Sequence, residues 1–137
     1  MELRAHTATG ADLVALAERL AEDLGSRAAA HDRDGTYPHD SIRALRDAGY
    51  LVAPVPVRLG GLGVSSVHDL VVASGRLARG DASVAIGVNM HLIAVLALAR
   101  RLSVALAAGD IVQKTLWPSM RQPPVVRSAR VAGRVRS

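Results

Sequence analysis

Residues 66–101 read SVHDLVVASGRLARGDASVAIGVNMHLIAVLALARR, and the spacing of their apolar side chains decides the fold class. Ser65 or Ser66 caps the start of a helix, with Asp69 three residues after Ser66 as a variant of the capping box. Val67, Leu70, Val71, Ser74, Leu77 and Ala78 then recur at intervals of three and four, which assigns them to one buried helical face. Gly80 offers a stop and Asp81 a second cap. From Ala82 to about Arg100 the chain is apolar, interrupted by Ser83, Asn89 and His91. That run is near the lower length limit for a membrane span. Polar groups at mid-depth in a bilayer cost free energy, and a helix inside a bundle explains the same residues more simply, so no span is expected.

The pattern extends towards both ends. Leu13, Leu16, Ala17, Leu20 and Leu24 share a face, and predict a first helix from near Thr9 to about His31 with Arg19, Glu22 and Asp23 on its wet side. A polar turn, His31 to Thr36, follows. Pro38 and Asp40 suit the first turn of a short second helix carrying Ile42 and Leu45 and ending near Gly49. Tyr50 to Val57 is apolar and β-branched, but Pro54 and Pro56 bar it from a central strand, so it reads as an extended connector. Gly60, Gly61 and Gly63 make a turn. A fifth, weaker helix is expected over about Ser103 to Leu116, with a weak point at Gly109 and a stop at Pro118. The expectation is an all-α, antiparallel bundle of four to five helices over residues 1–120. The tail, 121–137, has no apolar period and reads as disordered.

Composition narrows the function. No Phe is present and aromatics make up 2%, so Ala, Val and Leu must fill the core, which suits closely packed helices. The absence of Cys excludes disulfides, thiolate metal sites and a nucleophilic thiol, and fits a reducing, cytoplasmic setting. Residues 1–120 hold twelve basic and twelve acidic side chains, so the net charge of +5 comes from Arg121, Arg127, Arg130, Arg134 and Arg136. A neutral body is not the signature of a nucleic-acid-binding domain.

The candidate chemical motifs are weak. Gly61-Leu62-Gly63 is followed by Ser66 where a dinucleotide fingerprint needs glycine, and no Lys-Ser/Thr pair makes a phosphate loop. His31, Asp32, Asp34, His39 and Asp40 crowd ten residues but match neither zinc nor calcium spacing, so they read as turn and cap residues and no metal is expected. Ser74, in Val72-Ala73-Ser74-Gly75, lacks the first glycine of a nucleophile elbow. Asn89 and His91 read as core residues with satisfied polar groups.

Residues 28–92 taken together resemble the N-terminal domain of the acyl-CoA dehydrogenase family. The resemblance rests on an acidic residue after the first helix (Asp32 or Asp34), Pro38, Leu45-Arg46-Asp47-Ala48-Gly49-Tyr50, Pro56 with Gly60-Gly61-Leu62-Gly63, Arg76-Leu77-Ala78-Arg79-Gly80-Asp81-Ala82-Ser83, and Met90-His91. It extends roughly over residues 8–118. Val57 and Arg58 depart from it, standing where the family usually has acidic residues.

The resemblance implies a protein that, in full, holds FAD and oxidises an acyl-CoA thioester at Cα–Cβ. A carboxylate base would remove the α-proton and the flavin would take the β-hydride. It places Ala85, Val88, Asn89 and Leu92 in the wall of the acyl pocket, although plain core positions explain the same residues. The base and most flavin contacts belong to domains with no counterpart in this sequence. The change of composition after Met120 therefore predicts a truncated chain, inactive alone, that binds no FAD and self-associates through uncovered apolar surface at 51–62 and on the fourth helix. Two other readings are a fragment of a related flavin-dependent monooxygenase and a non-catalytic helical binding module with a basic tail.

Overall fold

The computed structural model describes residues 3–115, with side chains described for residues 3–108. The disordered tail expected at 121–137, the stop at Pro118 and the end of the fifth helix at Leu116 lie outside the described residues. Met1–Ser103 form one compact unit, beyond which the last helix continues to Thr115. The described residues contain four α-helices, α1 (Ala8–Asp34), α2 (His39–Asp47), α3 (Val67–Leu77) and α4 (Ala82–Thr115), and no strand. The all-α expectation holds.

α1 begins two residues after His6. Thr7 has extended backbone and its Oγ1 accepts from Gly10 N at 3.0 Å, satisfying one of the amides a helix start leaves open. The helix ends at Gly35, whose φ of 60° suits the left-handed terminator and whose N–H reaches the His31 carbonyl. α1 thus runs three residues past the expected end, and its face is the expected one. Leu13, Ala17 and Leu24 are buried, and Leu16 and Leu20 are partly so.

Three elements differ from expectation. The Tyr50–Val57 connector is not extended. It opens with a 3-10 turn, Tyr50–Val52, and a second covers Val57–Leu59. Short-range bonds from Ala53 N to Tyr50 O and from Val55 N to Val52 O fold it back on itself. Pro54 and Pro56 favour this, since fixed φ near −65° suits tight turns as well as extended chain. The fourth and fifth helices are one: α4 passes through Gly109 without a break. A lone glycine costs only about 1 kcal/mol against alanine, too little to break a long helix. Finally, the buried face of α3 is rotated. Val67 and Val71 are exposed, whereas Asp69, Leu70, Val72, Ala73, Arg76 and Leu77 are buried.

The core is continuous across the helices. Leu13, Ala17 and Leu24 of α1 meet Leu70, Ala73 and Leu77 of α3, Leu45 of α2, Tyr50, and Val84, Ala85, Val88, Leu92 and Leu96 of α4. Each fully buried leucine contributes about 1.5–3 kcal/mol. The opposite face of α4 carries exposed Ile86, Met90, Ile93 and Leu98, and the connector exposes Val52, Val57 and Leu59. By length and composition alone, residues Ala82–Ala108 could cross a membrane, but a third of the most apolar window is buried inside the protein.

Candidate functional site

A cleft of about 380 Å³ opens between the start of α2, the 3-10 turn after it and the first half of α4. Tyr37, Pro38, Ile42 and Leu51 form one side. Ser83, Val84, Gly87, Val88 and His91 of α4 form the other. The spacing 83, 84, 87, 88, 91 is one stripe of a helix, so a single surface faces the cleft. Gly87 leaves room there, since a Cβ at that position would meet nothing within 4 Å.

Two polar contacts set the cleft's frame. Asp81 caps α4, its Oδ1 accepting from Val84 N at 3.0 Å. His91 Nε2 lies 3.0 Å from the Leu51 carbonyl, so that nitrogen carries the proton and ties α4 to the 3-10 turn. The lining is otherwise largely apolar, and no Lys, Arg, Asp or Glu contributes to it.

Of the four pocket positions suggested by sequence, Val88 lines the cleft, while Ala85 and Leu92 turn into the core with Val88's inner side. Asn89 is half-buried, and its Oδ1 takes the Ser74 hydroxyl at 3.4 Å. Sequence reasoning missed Ser83, Val84, Gly87 and His91 as a group. Their stripe lies beside the chosen one on the same helix, and apolar spacing alone does not distinguish a core stripe from a cleft stripe.

Ser74 also stands near Tyr50, the largest fully buried side chain. Burial pushes the Tyr50 phenol up to about 12, and the nearby Ser74 hydroxyl tempers this without completing a hydrogen bond to Oη. Because the raised value favours the neutral phenol in the folded state, Tyr50 contributes stability below pH ~10 that is lost as pH rises through about 12. Tyr50→Phe removes a buried hydroxyl without a full partner. It should leave stability at neutral pH unchanged or raise it by up to about 1 kcal/mol, and should remove the slowest-ionising phenol from a spectrophotometric alkaline titration. A loss above about 2 kcal/mol would show that Oη is satisfied after all.

The other sequence motifs are accounted for by the fold. The glycine turn consumes its own amides: Gly60 N reaches Val57 O, Gly61 N reaches Pro56 O and Gly63 N reaches Val55 O. Those groups are not free to cradle a phosphate. His31 Nδ1 pairs with Thr36 Oγ1 at 3.0 Å across the polar turn, and Asp40 pairs with Arg43 within α2. A different group converges instead: His6, His68 and Asp69 each bring a ligand-type atom within 4.8 Å of the others. No spacing rule signals that group, because 62 residues separate its first two members.

The fold is that of an all-α domain with a largely apolar cleft beside α4. The chain matches the family described as acyl-CoA dehydrogenase, N-terminal domain, over residues 9–106, and belongs to that family. It is 41% identical over 83 residues to the amino sugar nitrososynthase RubN8 of Streptomyces rubradiris, covering 61% of this chain and 20% of that one. It is 42% identical over 74 residues to the putative acyl-CoA dehydrogenase YdbM of Bacillus subtilis (strain 168), covering 54% and 19%. Among solved structures, KijD3 in complex with dTDP matches with a TM-score of 0.66 at 42% identity, covering 69% of this chain and 24% of that one. The chain thus spans about a fifth of the length of the curated relatives it matches.

Proposed function

We propose that this chain is the substrate-side helical domain of a flavin-dependent oxidoreductase, and that its cleft binds the acyl part of an acyl-CoA thioester. The observation that carries the reading is the apolar lining of the cleft on α4, with Gly87 holding space open at its centre. Val88 is the sequence-suggested pocket residue that lines it, and Ala85, Asn89 and Leu92 act behind it by fixing the position of α4. His91, held by the Leu51 carbonyl, keeps the two walls at a constant separation.

The cleft does not fit a complete flavin dinucleotide. No cation lines it to meet a diphosphate, so the chain alone is expected to bind no FAD, and no catalytic base is assigned to it. In the family the flavin supplies hydride acceptance, and the residues of this chain bind and orient. Without further protein over the exposed side of α4, the isolated chain is expected to self-associate through Ile86, Met90 and Leu98. Balanced charge over residues 1–120 and the absence of cysteine favour a cytoplasmic domain that binds neither membrane nor nucleic acid.

A second reading is flavin-dependent N-oxygenation of a nucleotide-linked amino sugar. It is favoured by three nitrososynthases among the relatives, at 35–41% identity, and by the dTDP complex of KijD3. The two readings separate in one titration of the isotope-labelled chain, observed by amide NMR. Octanoyl-CoA should shift the amides of Val84, Gly87, Val88 and His91, and Gly87→Leu should abolish those shifts by filling the cleft. Shifts with dTDP alone would favour the amino-sugar reading, and no shift with either would overturn the cleft assignment. Gly87→Leu should not unfold the helix, because replacing an exposed helical glycine gains up to about 1 kcal/mol.

A further inference from the structure

The geometry points to a transition-metal site formed by the imidazoles of His6 and His68 and the carboxylate of Asp69. It lies where the segment before α1 crosses the first turn of α3. These three residues are separate from the cleft and share none of its lining. One ligand-type atom from each of the three side chains falls within 4.8 Å of the others. The two rings meet edge to face, with centroids 3.7 Å apart at 73°. Bonds of about 2.1 Å to a tetrahedral ion require ligand atoms roughly 3.4 Å apart, a contraction that small side-chain rotations supply.

Each group has capacity to spare. Both ring nitrogens of His68 are shut off from solvent, and neither meets a hydrogen-bond partner. A buried polar atom left unmade is costly, and ligation would satisfy one of the two. Asp69 Oδ1 accepts one bond, from His6 N at 2.8 Å. Oδ2 accepts two, from Thr7 N at 3.2 Å and Thr7 Oγ1 at 2.6 Å. A carboxylate offers about four lone-pair positions, so one remains on Oδ1, on the His6 side. His6 is exposed, which leaves an open side for entry and for a water as fourth ligand.

Two imidazoles and one carboxylate suit zinc, cobalt, nickel or copper in the divalent state, and suit magnesium or calcium poorly, since those prefer all-oxygen shells. A bound ion would staple residue 6 to residue 68 and stabilise the α1–α3 pair by mass action. The test is titration of the full chain with zinc chloride by calorimetry, and with cobalt(II) by visible absorption. The expected result is saturable binding of a single ion, a raised melting temperature, and cobalt bands of a low-symmetry site. His6→Ala, at an exposed position, should weaken zinc binding by at least about tenfold, as should His68→Ala. His31→Ala, His39→Ala and His91→Ala should leave it unchanged. Absence of saturable zinc binding, or affinity unchanged in His6→Ala, overturns the proposal, as does equal loss in the three control variants.

Discussion

Asp69→Ala should destabilise the domain by about 3 kcal/mol or more, because it orphans donors from the N-terminus of another helix. Asp69 is fully buried. Its oxygens take the His6 and Thr7 amides and the Thr7 hydroxyl, so a carboxylate on α3 organises the start of α1, more than sixty residues away in sequence. Gly10 is part of the same arrangement: a Cβ there would strike the Asp69 side chain. Removing the carboxylate leaves two amides and a hydroxyl partly enclosed without an acceptor, each costing roughly 1–3 kcal/mol less whatever water recovers. The effect is also pH-dependent. Burial raises the Asp69 value, but the His6 and Thr7 bonds and the His68 charge more than offset this and hold it below the ordinary 3.8. A depressed folded value means that the unfolded chain binds the extra proton. The contribution is therefore complete well above 3.8 and is lost as pH falls through the folded value. Urea titrations of the native chain and Asp69→Ala at successive pH values should differ by a constant amount near neutrality and converge in acid. A variant as stable as the native chain at pH 7 would show that the α1 start does not depend on Asp69.

That carboxylate marks where sequence reading stops. Ser66 and Asp69 look like a capping box, and half of it forms: Ser66 Oγ accepts from Asp69 N at 3.2 Å. The reciprocal half does not, because the Asp69 side chain turns away from its own helix to cap α1. Local spacing reports local bonds, and a long-range cap has no local signature. Arg76 is the same kind of residue. It sits two turns along the same face of α3, donates to the Leu3 carbonyl at 2.9 Å and pairs with Glu18 at 3.3 Å. With two charged side chains turned inward on α3, Val67 and Val71 are turned out, which is why the apolar face read from the sequence is displaced. α1 was legible because its apolar stripe and charged stripe agree, so both signals select one orientation. The cleft was half legible. Apolar α4 residues were assigned to a pocket wall, but α4 is apolar nearly all round, and a helix without a wet side gives no phase from which to choose the wall.

Gly80→Ala should lower stability by about 3 kcal/mol, because the added methyl group has no room between α3 and α1. In the sequence Gly80 reads as a helix stop, a role that would depend on a left-handed backbone. Its φ is not among the positive ones, so the reason for glycine is different. A Cβ at Gly80 would overlap the Ala21 carbonyl oxygen, carbonyl carbon and Cα of α1. Gly25 faces it from the same helix, its own Cβ position 3.5 Å from the Gly80 Cα. The end of α3 thus approaches the backbone of α1 as closely as two main chains allow. The obstacle to a side chain is main chain, which cannot rotate aside as a flexible side chain would. α1 and α3 would have to separate, loosening Leu24 and Leu77 in the core they share. Gly75→Ala is the matched control. It lies on the exposed side of α3, a Cβ there meets nothing within 4 Å, and the exchange should gain up to about 1 kcal/mol from helix propensity. The urea midpoints of the two variants should therefore move in opposite directions with similar slopes. Equal midpoints would mean that the α1–α3 crossing has room for a methyl group and that the close approach at Ala21 is not what holds glycine at position 80.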